Sequence, residues 1–236
     1  MKQLVLGDMH GRIDCVRVIY EREQPDSVIM LGDYVDSHEP ISDQDQYCAV
    51  WELLDLRDKH IESGRGDFTL LIGNHDFHYL YGDPLSERYS QWDDTRGRWA
   101  NDLFGVLVER SVFKVVHIDK EQHTVFSHAG ITNTWLHSNN LRLEDVNPLL
   151  RSDLEPFRFY RYGPPTGDSI ENSPIWVRPD ALKSDMYRDE DGVKWRQVVG
   201  HTPTPQIVAE QHFVQCDTLP RQYLIIENDN YIIKEL

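Results

Sequence analysis

Seven side chains with metal-binding or proton-transferring chemistry lie just after apolar runs of the sequence. They are Asp8, His10, Asp33, Asn74, His75, His128 and His201. Carboxylate, amide and imidazole groups together suit borderline divalent metals such as Mn, Fe, Co or Zn better than an all-oxygen Ca or Mg site. Seven groups are too many for one tetrahedral ion. They suit two ions that share a carboxylate, an arrangement that can clamp the attacking and leaving oxygens of a displacement at phosphorus.

The apolar runs before these residues predict buried parallel strands. Leu4–Leu6, Val28–Leu31 and Phe68–Ile72 are short and apolar, and each is followed by glycine and then by the ligand-type residues. Helical spacing over 12–23 and 46–61 supplies the crossovers of β-α-β units. Because such crossovers bring the carboxyl ends of parallel strands to one edge of the sheet, we expect these residues to converge there.

The rest of the chain predicts less regular elements within a single domain, 1–236. We expect an irregular insertion at about 83–100, and a hairpin made of 112–118 and 124–127. A further strand, Val198-Val199, precedes His201, and the segment 207–236 alternates like antiparallel strands. The sequence contains no internal repeat and no clear linker.

Composition and charge restrict the class of protein. The formal net charge of −16 repels phosphate backbones and argues against an extended nucleic-acid interface. Apolar runs fall short of the roughly 18 residues of a membrane span, so no membrane association is expected. Three widely spaced cysteines give no disulfide framework, and Met1 leads directly into a strand instead of a signal sequence. A reducing cytoplasm is therefore predicted.

Five ordered motifs, GDMHG, GDYVD, GNHD, SHAG and VVGHT, make the chain similar to the calcineurin-like metallophosphoesterases. Within that superfamily it most resembles the phosphoprotein phosphatases and their bacterial and phage relatives. The resemblance runs from Leu4 to about Thr202. It implies an α/β fold, a four-layer α/β/β/α sandwich with a binuclear metal site at the carboxyl ends of the strands. It also implies two divalent ions, with Mn²⁺ preferred and Fe, Zn, Co or Ni as alternatives.

The resemblance also assigns roles to individual residues. Six are implied metal ligands: Asp8 and His10 on the first ion, Asp33 bridging both, and Asn74, His128 and His201 completing the second. His75 corresponds to the catalytic acid that protonates the leaving group, and Asp36 orients that imidazole. The implied nucleophile is a metal-bound hydroxide that attacks phosphorus in line, without a phosphoenzyme.

Two departures from the phosphatase pattern leave the substrate open. Ser37 and Ile72 stand where the family has arginines that hold the phosphoryl oxygens. Arg178 resembles a third phosphate-contacting arginine of some relatives, and Arg12 and His38 are possible local substitutes.

Three functions therefore follow. The first is hydrolysis of phosphomonoesters, in a phosphoprotein or a small phosphoester, in the manner of a serine/threonine protein phosphatase. Pro203 favours this branch, because many diesterases have a second metal-binding histidine there. The first alternative is a phosphodiesterase or (di)nucleoside polyphosphate hydrolase with the same metals, since a diester needs less cationic help. The second alternative is a non-catalytic binding module of the same fold.

Overall fold

The computed structural model describes residues 1–37, 39–81, 94–159 and 168–236, and two β-sheets form its centre. The strands are β1 (Lys2–Leu6), β2 (Ser27–Met30), β3 (Phe68–Leu71), β4 (Phe113–Lys114), β5 (Val116–Asp119), β6 (Thr124–Ser127), β7 (Arg196–Val199), β8 (Val208–Ala209), β9 (Phe213–Gln215), β10 (Gln222–Glu227) and β11 (Asn230–Glu235). The helices are α1 (Ile13–Glu23), α2 (Asp43–Glu62), α3 (Asn74–Tyr81), α4 (Asp94–Glu109), α5 (Asn133–Ser138), α6 (Val146–Ser152) and α7 (Pro179–Ser184).

Each sheet combines parallel and antiparallel pairs. The first has the order β11-β10-β1-β2-β3-β4, and β1 to β4 are parallel neighbours. The second has the order β5-β6-β7-β9-β8, in which β6, β7 and β9 are parallel. The predicted parallel core is therefore confirmed, and it places the carboxyl ends of β1, β2 and β3 at one edge.

Side chains that alternate between the two faces of each strand produce the helix layer and the inter-sheet core. Leu4 and Leu6 of β1 pack in the core under the helices, whereas Val5 packs against Phe126 and Val198 of the second sheet. Because successive side chains of a strand point to opposite faces, one strand serves both the helix layer and the inter-sheet core. Helix α7 covers part of the other face of the second sheet. The mixed α/β fold with two sheets and helices is thus confirmed.

Two predicted boundaries shift for local reasons. Helix α2 begins at Asp43, earlier than predicted, because the hydroxyl of Ser42 accepts a hydrogen bond from Asp45 N at 3.2 Å and caps the helix. The insertion predicted at about 83–100 overlaps the start of α4, which is helical from Asp94. The earlier part, through residue 93, lies outside the described residues.

The predicted hairpin was partly wrong. Its second half is correct, because β5 and β6 pair antiparallel. The segment 112–118 is, however, divided between the two sheets: β4 pairs with β3, and the chain crosses to the second sheet at Val115. The side chain of Asn147 accepts hydrogen bonds from the amides of Val115 and Val116 at 2.8 and 2.9 Å, which satisfies the backbone at the crossing.

The carboxyl-terminal strands behave largely as predicted. Strands β10 and β11 form an antiparallel pair, and β10 extends the first sheet along β1. Strand β9 departs from the antiparallel expectation, since it runs parallel to β7. In the described part of the chain, no helix combines the length and apolar character that crossing a bilayer requires.

Candidate metal centre

Sharp turns at the ends of β1, β2 and β7 bring the predicted ligands together. Four of the site residues have left-handed backbone conformations, with φ of 45° at His10, 53° at Asp33, 61° at Asp36 and 65° at His201. Non-glycine residues seldom adopt this region, and such strain concentrates at functional sites. The turns are cross-linked, since His10 N donates to the carbonyl of Asp33 at 2.7 Å.

The first group of predicted ligands is compact and buried. One ligand atom from each of Asp8, His10 and Asp33 lies within 4.8 Å of the others. Their exposed fractions are 2%, 6% and 2%. Asp33 Oδ2 lies 3.8 Å from His10 Nε2. These distances fit side chains that would surround one cation.

The second group meets the first at the same carboxylate. His128 Nε2 lies 2.9 Å from Asn74 Oδ1, 3.2 Å from His201 Nδ1 and 3.5 Å from Asp33 Oδ2. Asp33 thus contacts both groups, in the position that a bridging carboxylate would occupy. All six predicted metal ligands are brought together.

The ring nitrogens of the three histidines show that this cluster fits metal ions. His10 Nδ1 and His128 Nδ1 each lie 2.8 Å from a backbone carbonyl, and His201 Nε2 lies 3.2 Å from the carbonyl of Trp176. A carbonyl oxygen can only accept, so each of these nitrogens carries the hydrogen and the other nitrogen of the neutral ring presents a lone pair. His128 Nε2 and His201 Nδ1 therefore face each other with lone pairs, which a shared cation stabilises.

Glycines leave the space that the two ligand carboxylates occupy. A Cβ atom at Gly73 would collide with Asp33 Oδ1, and one at Gly200 would collide with Asp8 Oδ1. These positions require glycine for close approach of a carboxylate to the backbone. The glycine-marked strand ends therefore serve the ligands directly.

The electrostatics agree with a set of metal ligands in which the imidazoles of His128 and His201 carry no positive charge. Burial, with the neighbouring Asp217 and Asp33, raises the pKa of Asp8 well above its usual value. Burial also lowers the pKa of His128 and of His201, and the two rings lie close to each other. These imidazoles are therefore neutral near pH 7, which is the form that binds a metal.

Beside the cluster, His75 and Asp36 form a hydrogen-bonded pair. His75 Nδ1 lies 2.8 Å from Asp36 Oδ2, and the side chain of Asp36 is 1% exposed against 20% for His75. Burial lowers the pKa of His75, but the charges of Asp33 and Asp36 outweigh it and raise that pKa to about 9. The imidazole is held in the protonated form, while bound cations would lower its pKa.

Asp76 supports the site but received no role from the sequence. Its carboxylate accepts hydrogen bonds from the amides of Asp33, Tyr34 and Gly73, each at 2.9 Å. Burial, together with the charge of Asp33, raises the pKa of Asp76 to about 7. It ties the turn after β2 to the turn after β3. Its place in GNHD, one residue after His75, was the available signal.

Asp217 is a further carboxylate whose charge acts on Asp8. Burial, together with the charge of Asp33, raises its pKa to about 6. It extends the acidic edge of the metal-ligand cluster.

The predicted phosphate-contacting residues are more dispersed. Half-buried Arg178 donates from Nη1 to the carbonyl of His201 at 3.1 Å and to Thr202 Oγ1 at 3.0 Å, so it lies against the metal-ligand cluster. Arg12 pairs with Glu39 at 3.2 Å instead of pointing freely into solvent. His38 lies outside the described residues.

Ser37 and Ile72, which stand where the resemblance predicts arginines, are both buried. Ile72 is 0% exposed in the core under the helices, and Ser37 is 1% exposed. The hydroxyl of Ser37 accepts a hydrogen bond from the amide of Glu39 at 3.0 Å. Arginine at position 72 would thus place a charge in the apolar core as this chain packs it.

Comparisons with known proteins identify the family of the chain. The sequence model of the family described as calcineurin-like phosphoesterase matches residues 1–230. A symmetrical bis(5'-nucleosyl)-tetraphosphatase from Marinomonas sp. (strain MWYL1) is 25% identical over 181 residues. That match covers 69% of this chain but only 57% of the tetraphosphatase.

Two solved structures are also similar. A protein serine/threonine phosphatase from Saccharomyces cerevisiae, described as similar to human phosphatase PP5, has a TM-score of 0.59 and 15% identity, covering 99% of this chain and 79% of its own. This likeness concerns the fold alone. The phosphoesterase Yfce from E. coli has a TM-score of 0.41 and 12% identity, covering 97% of this chain and 90% of its own.

Proposed function

The chain belongs to the calcineurin-like phosphoesterase family, and on that premise we propose that it hydrolyses phosphoesters with two divalent metal ions. Membership of the family implies divalent ions. The number two rests on one observation, the two ligand groups that meet at Asp33. We propose Asp8, His10 and Asp33 for the first ion, and Asp33, Asn74, His128 and His201 for the second. We propose Mn²⁺ for both ions, with Fe, Zn, Co or Ni as alternatives.

Bound divalent ions would lower the pKa of a water molecule and neutralise charge on the phosphoryl oxygens. The protein's own residues supply the remaining steps. His75 gives its Nε2 proton to the leaving oxygen as the ester bond to phosphorus breaks. Asp36 keeps the Nδ1 side of that ring hydrogen bonded and stabilises the imidazolium before the transfer. We assign Arg178 to a phosphoryl oxygen, because its guanidinium donates to the carbonyl of His201 beside the ligand cluster.

Phosphomonoesters are the first proposed substrate class. His75 is one-fifth exposed, so a leaving group can reach it, and Arg178 offers one cation near the ligand cluster. A phosphoprotein side chain or a small phosphate ester would suit such a site. The cytoplasmic location that the cysteines suggest stays a prediction.

A second candidate is hydrolysis of dinucleoside polyphosphates or other diesters. Two observations favour it: the 25% identity to a symmetrical tetraphosphatase, and the buried positions of Ser37 and Ile72, which leave fewer cations for a dianionic monoester. An internal phosphate of such a chain carries less charge than a terminal one, so it needs less cationic help.

A substrate panel with controlled metals tests the proposal. The purified chain is stripped with a chelator, reloaded with Mn²⁺ and assayed on nitrophenyl phosphate, bis-nitrophenyl phosphate, phosphopeptides and diadenosine tetraphosphate. Activity that disappears with the chelator and returns with Mn²⁺ is expected, and the favoured substrate separates the two candidates. A chain that binds Mn²⁺ yet hydrolyses none of these esters would favour a binding module. A chain that binds no divalent metal would contradict the proposed site.

A further inference from the structure

Tyr79 hydrogen bonds to the carboxylate that holds His75. The buried phenol of Tyr79 donates to Asp36 Oδ1, while Asp36 Oδ2 accepts from His75 Nδ1 at 2.8 Å. We propose that Tyr79 is a positioning residue for the general acid: it fixes Asp36, and through Asp36 it fixes the imidazole of His75. This inference rests on the proposed function, because it refines the role given there to His75.

The geometry of α3 makes this arrangement possible. His75 and Tyr79 are four residues apart in the same helix, so their side chains lie on one face, one turn apart. Asp36 approaches that face from the turn after β2, with a left-handed φ of 61°. Two side chains of a single helix therefore hydrogen bond to the same carboxylate, His75 to Oδ2 and Tyr79 to Oδ1.

The surroundings of Tyr79 hold the phenol in place. Tyr79 is 0% exposed and packs edge-on against Phe104 of α4, with 6.5 Å between ring centroids. Its carbonyl accepts a hydrogen bond from Asn101 Nδ2 at 2.8 Å. Phenylalanine would fill almost the same volume, so the hydroxyl is what tyrosine adds, and that hydroxyl is bonded to Asp36.

Engaging both oxygens of Asp36 has a chemical consequence. A carboxylate held at one oxygen can rotate about its Cβ–Cγ bond, and an imidazole bonded to it would follow. With Tyr79 on Oδ1, the plane of the carboxylate is defined, and so is the direction in which His75 Nε2 points. General acid catalysis requires that direction to match the leaving oxygen within hydrogen-bonding distance, about 2.6–3.2 Å.

The test compares Tyr79→Phe with Tyr223→Phe. Tyr223 is also a buried tyrosine, 1% exposed, and it donates to a buried carboxylate, Glu23 Oε1, at 2.7 Å. It lies outside the metal-ligand cluster, at the end of α1 remote from His10. Both variants remove one phenol–carboxylate hydrogen bond, so thermal unfolding should report similar losses of stability. Metal content should match the wild type in both.

The decisive measurement is turnover of two esters that differ only in the leaving group. Phenyl phosphate releases a weakly acidic phenol that needs a proton, whereas dinitrophenyl phosphate releases an ion that does not. If only diesters are hydrolysed, the corresponding methyl aryl diesters are used. Tyr79→Phe should lower kcat for the phenyl ester roughly 10-fold and for the dinitrophenyl ester less than about twofold. Tyr223→Phe should leave both unchanged.

Each other outcome has a definite meaning. An equal loss for both esters, or no loss for the phenyl ester, would overturn the role of Tyr79 while leaving the proposed function intact. Failure of the wild type on every ester would instead count against the proposed function. In that event the NMR signal of the His75 Nδ1 proton, assigned with His75→Asn, decides: a shifted or broadened signal in Tyr79→Phe supports positioning, and an unchanged signal overturns it.

Discussion

The two ends of α1 bury carboxylates in opposite ways. At its carboxyl end Glu23 is 5% exposed, and the ammonium groups of Lys2 and Lys234 lie 2.7 and 2.8 Å from its carboxylate. Burial raises the pKa of Glu23, but the hydrogen bonds from Lys2, Lys234 and Tyr223 outweigh it and hold that pKa at about 2. This charge is neutralised by the protein itself.

The metal-ligand cluster, just before the amino end of α1, is neutralised only in part. Asp8 and Asp33 are 2% exposed, and the imidazoles of His128 and His201 in the same cluster have lowered pKa values. The pKa of Asp8 is raised by burial and by Asp217, whereas that of Glu23 is depressed. Burial also raises the pKa of Asp33, but the nearby imidazoles outweigh it and lower that pKa. The contrast is therefore between Glu23, which has its own lysines, and Asp8, a buried carboxylate that has no lysine beside it among the described residues and that fits a bound cation.

The largest expected effect separates the two ends by changing one carboxylate in each. Asp33→Asn should lower turnover by at least roughly 1000-fold, because the carboxylate that both ligand groups share would contribute several kcal/mol to transition-state stabilisation through the metals. Glu23→Gln, the matched exchange of a buried carboxylate for an amide, should change turnover less than about twofold. Steady-state kinetics and metal analysis of both variants measure this. Comparable losses in both would remove the distinction.

His75→Asn distinguishes a metal ligand from a general acid within the site. Turnover should fall about 100-fold, because general acid catalysis contributes about that much or more, while metal content stays near that of the wild type. Elemental analysis alongside kinetics checks both parts. A variant that lost its metal would show that His75 is a ligand and that the acid assignment is wrong.

Adding Mn²⁺ to metal-free protein should stabilise the fold through the metal-ligand cluster and not through Glu23 at the other end of α1. At a free concentration of 100 times the dissociation constant, the free energy of unfolding should rise by about 2.7 kcal/mol. Denaturant titration with and without Mn²⁺ measures it. The gain should persist in Glu23→Gln and shrink in Asp33→Asn. Stabilisation that survives unchanged in Asp33→Asn would place the ion elsewhere.

Acid should reveal the smallest difference, at Glu23. Its folded pKa of about 2 lies below the ordinary value of 4.5, so the unfolded chain binds the proton first. The stabilisation is therefore complete above pH 4.5 and is lost as the pH falls towards 2. Glu23→Gln should lower the free energy of unfolding by about 2 kcal/mol at pH 7, and by progressively less below pH 4.5. Urea titrations with a chelator present test this, since identical pH profiles would contradict the ion network.

Much of the fold followed from local pattern. Apolar runs followed by glycine predicted β1, β2 and β3, because a parallel strand that is buried on both faces is a continuous apolar run without alternation. The crossing from β4 to β5 was not predictable in this way. Val115 looks like the middle of one strand, and its amide is satisfied where the chain changes sheets by the side chain of Asn147, some thirty residues later.

The sequence by itself determined that the ligand-type residues after β1, β2 and β3 converge, since the carboxyl ends of neighbouring parallel strands meet at one edge of a sheet. The tertiary structure brought His128 and His201, which follow β6 and β7 of the second sheet, to the same place. Only the tertiary structure decided how those groups are oriented. The carbonyls of Leu31, Val35 and Trp176 select the lone pairs of three histidines, and left-handed turns aim Asp33 and Asp36. The link from Tyr79 to Asp36 spans 43 residues. The local spacing of apolar residues predicts helices and strands. The direction of a side-chain hydrogen bond depends on backbone atoms that are distant in sequence, so no local pattern specifies it.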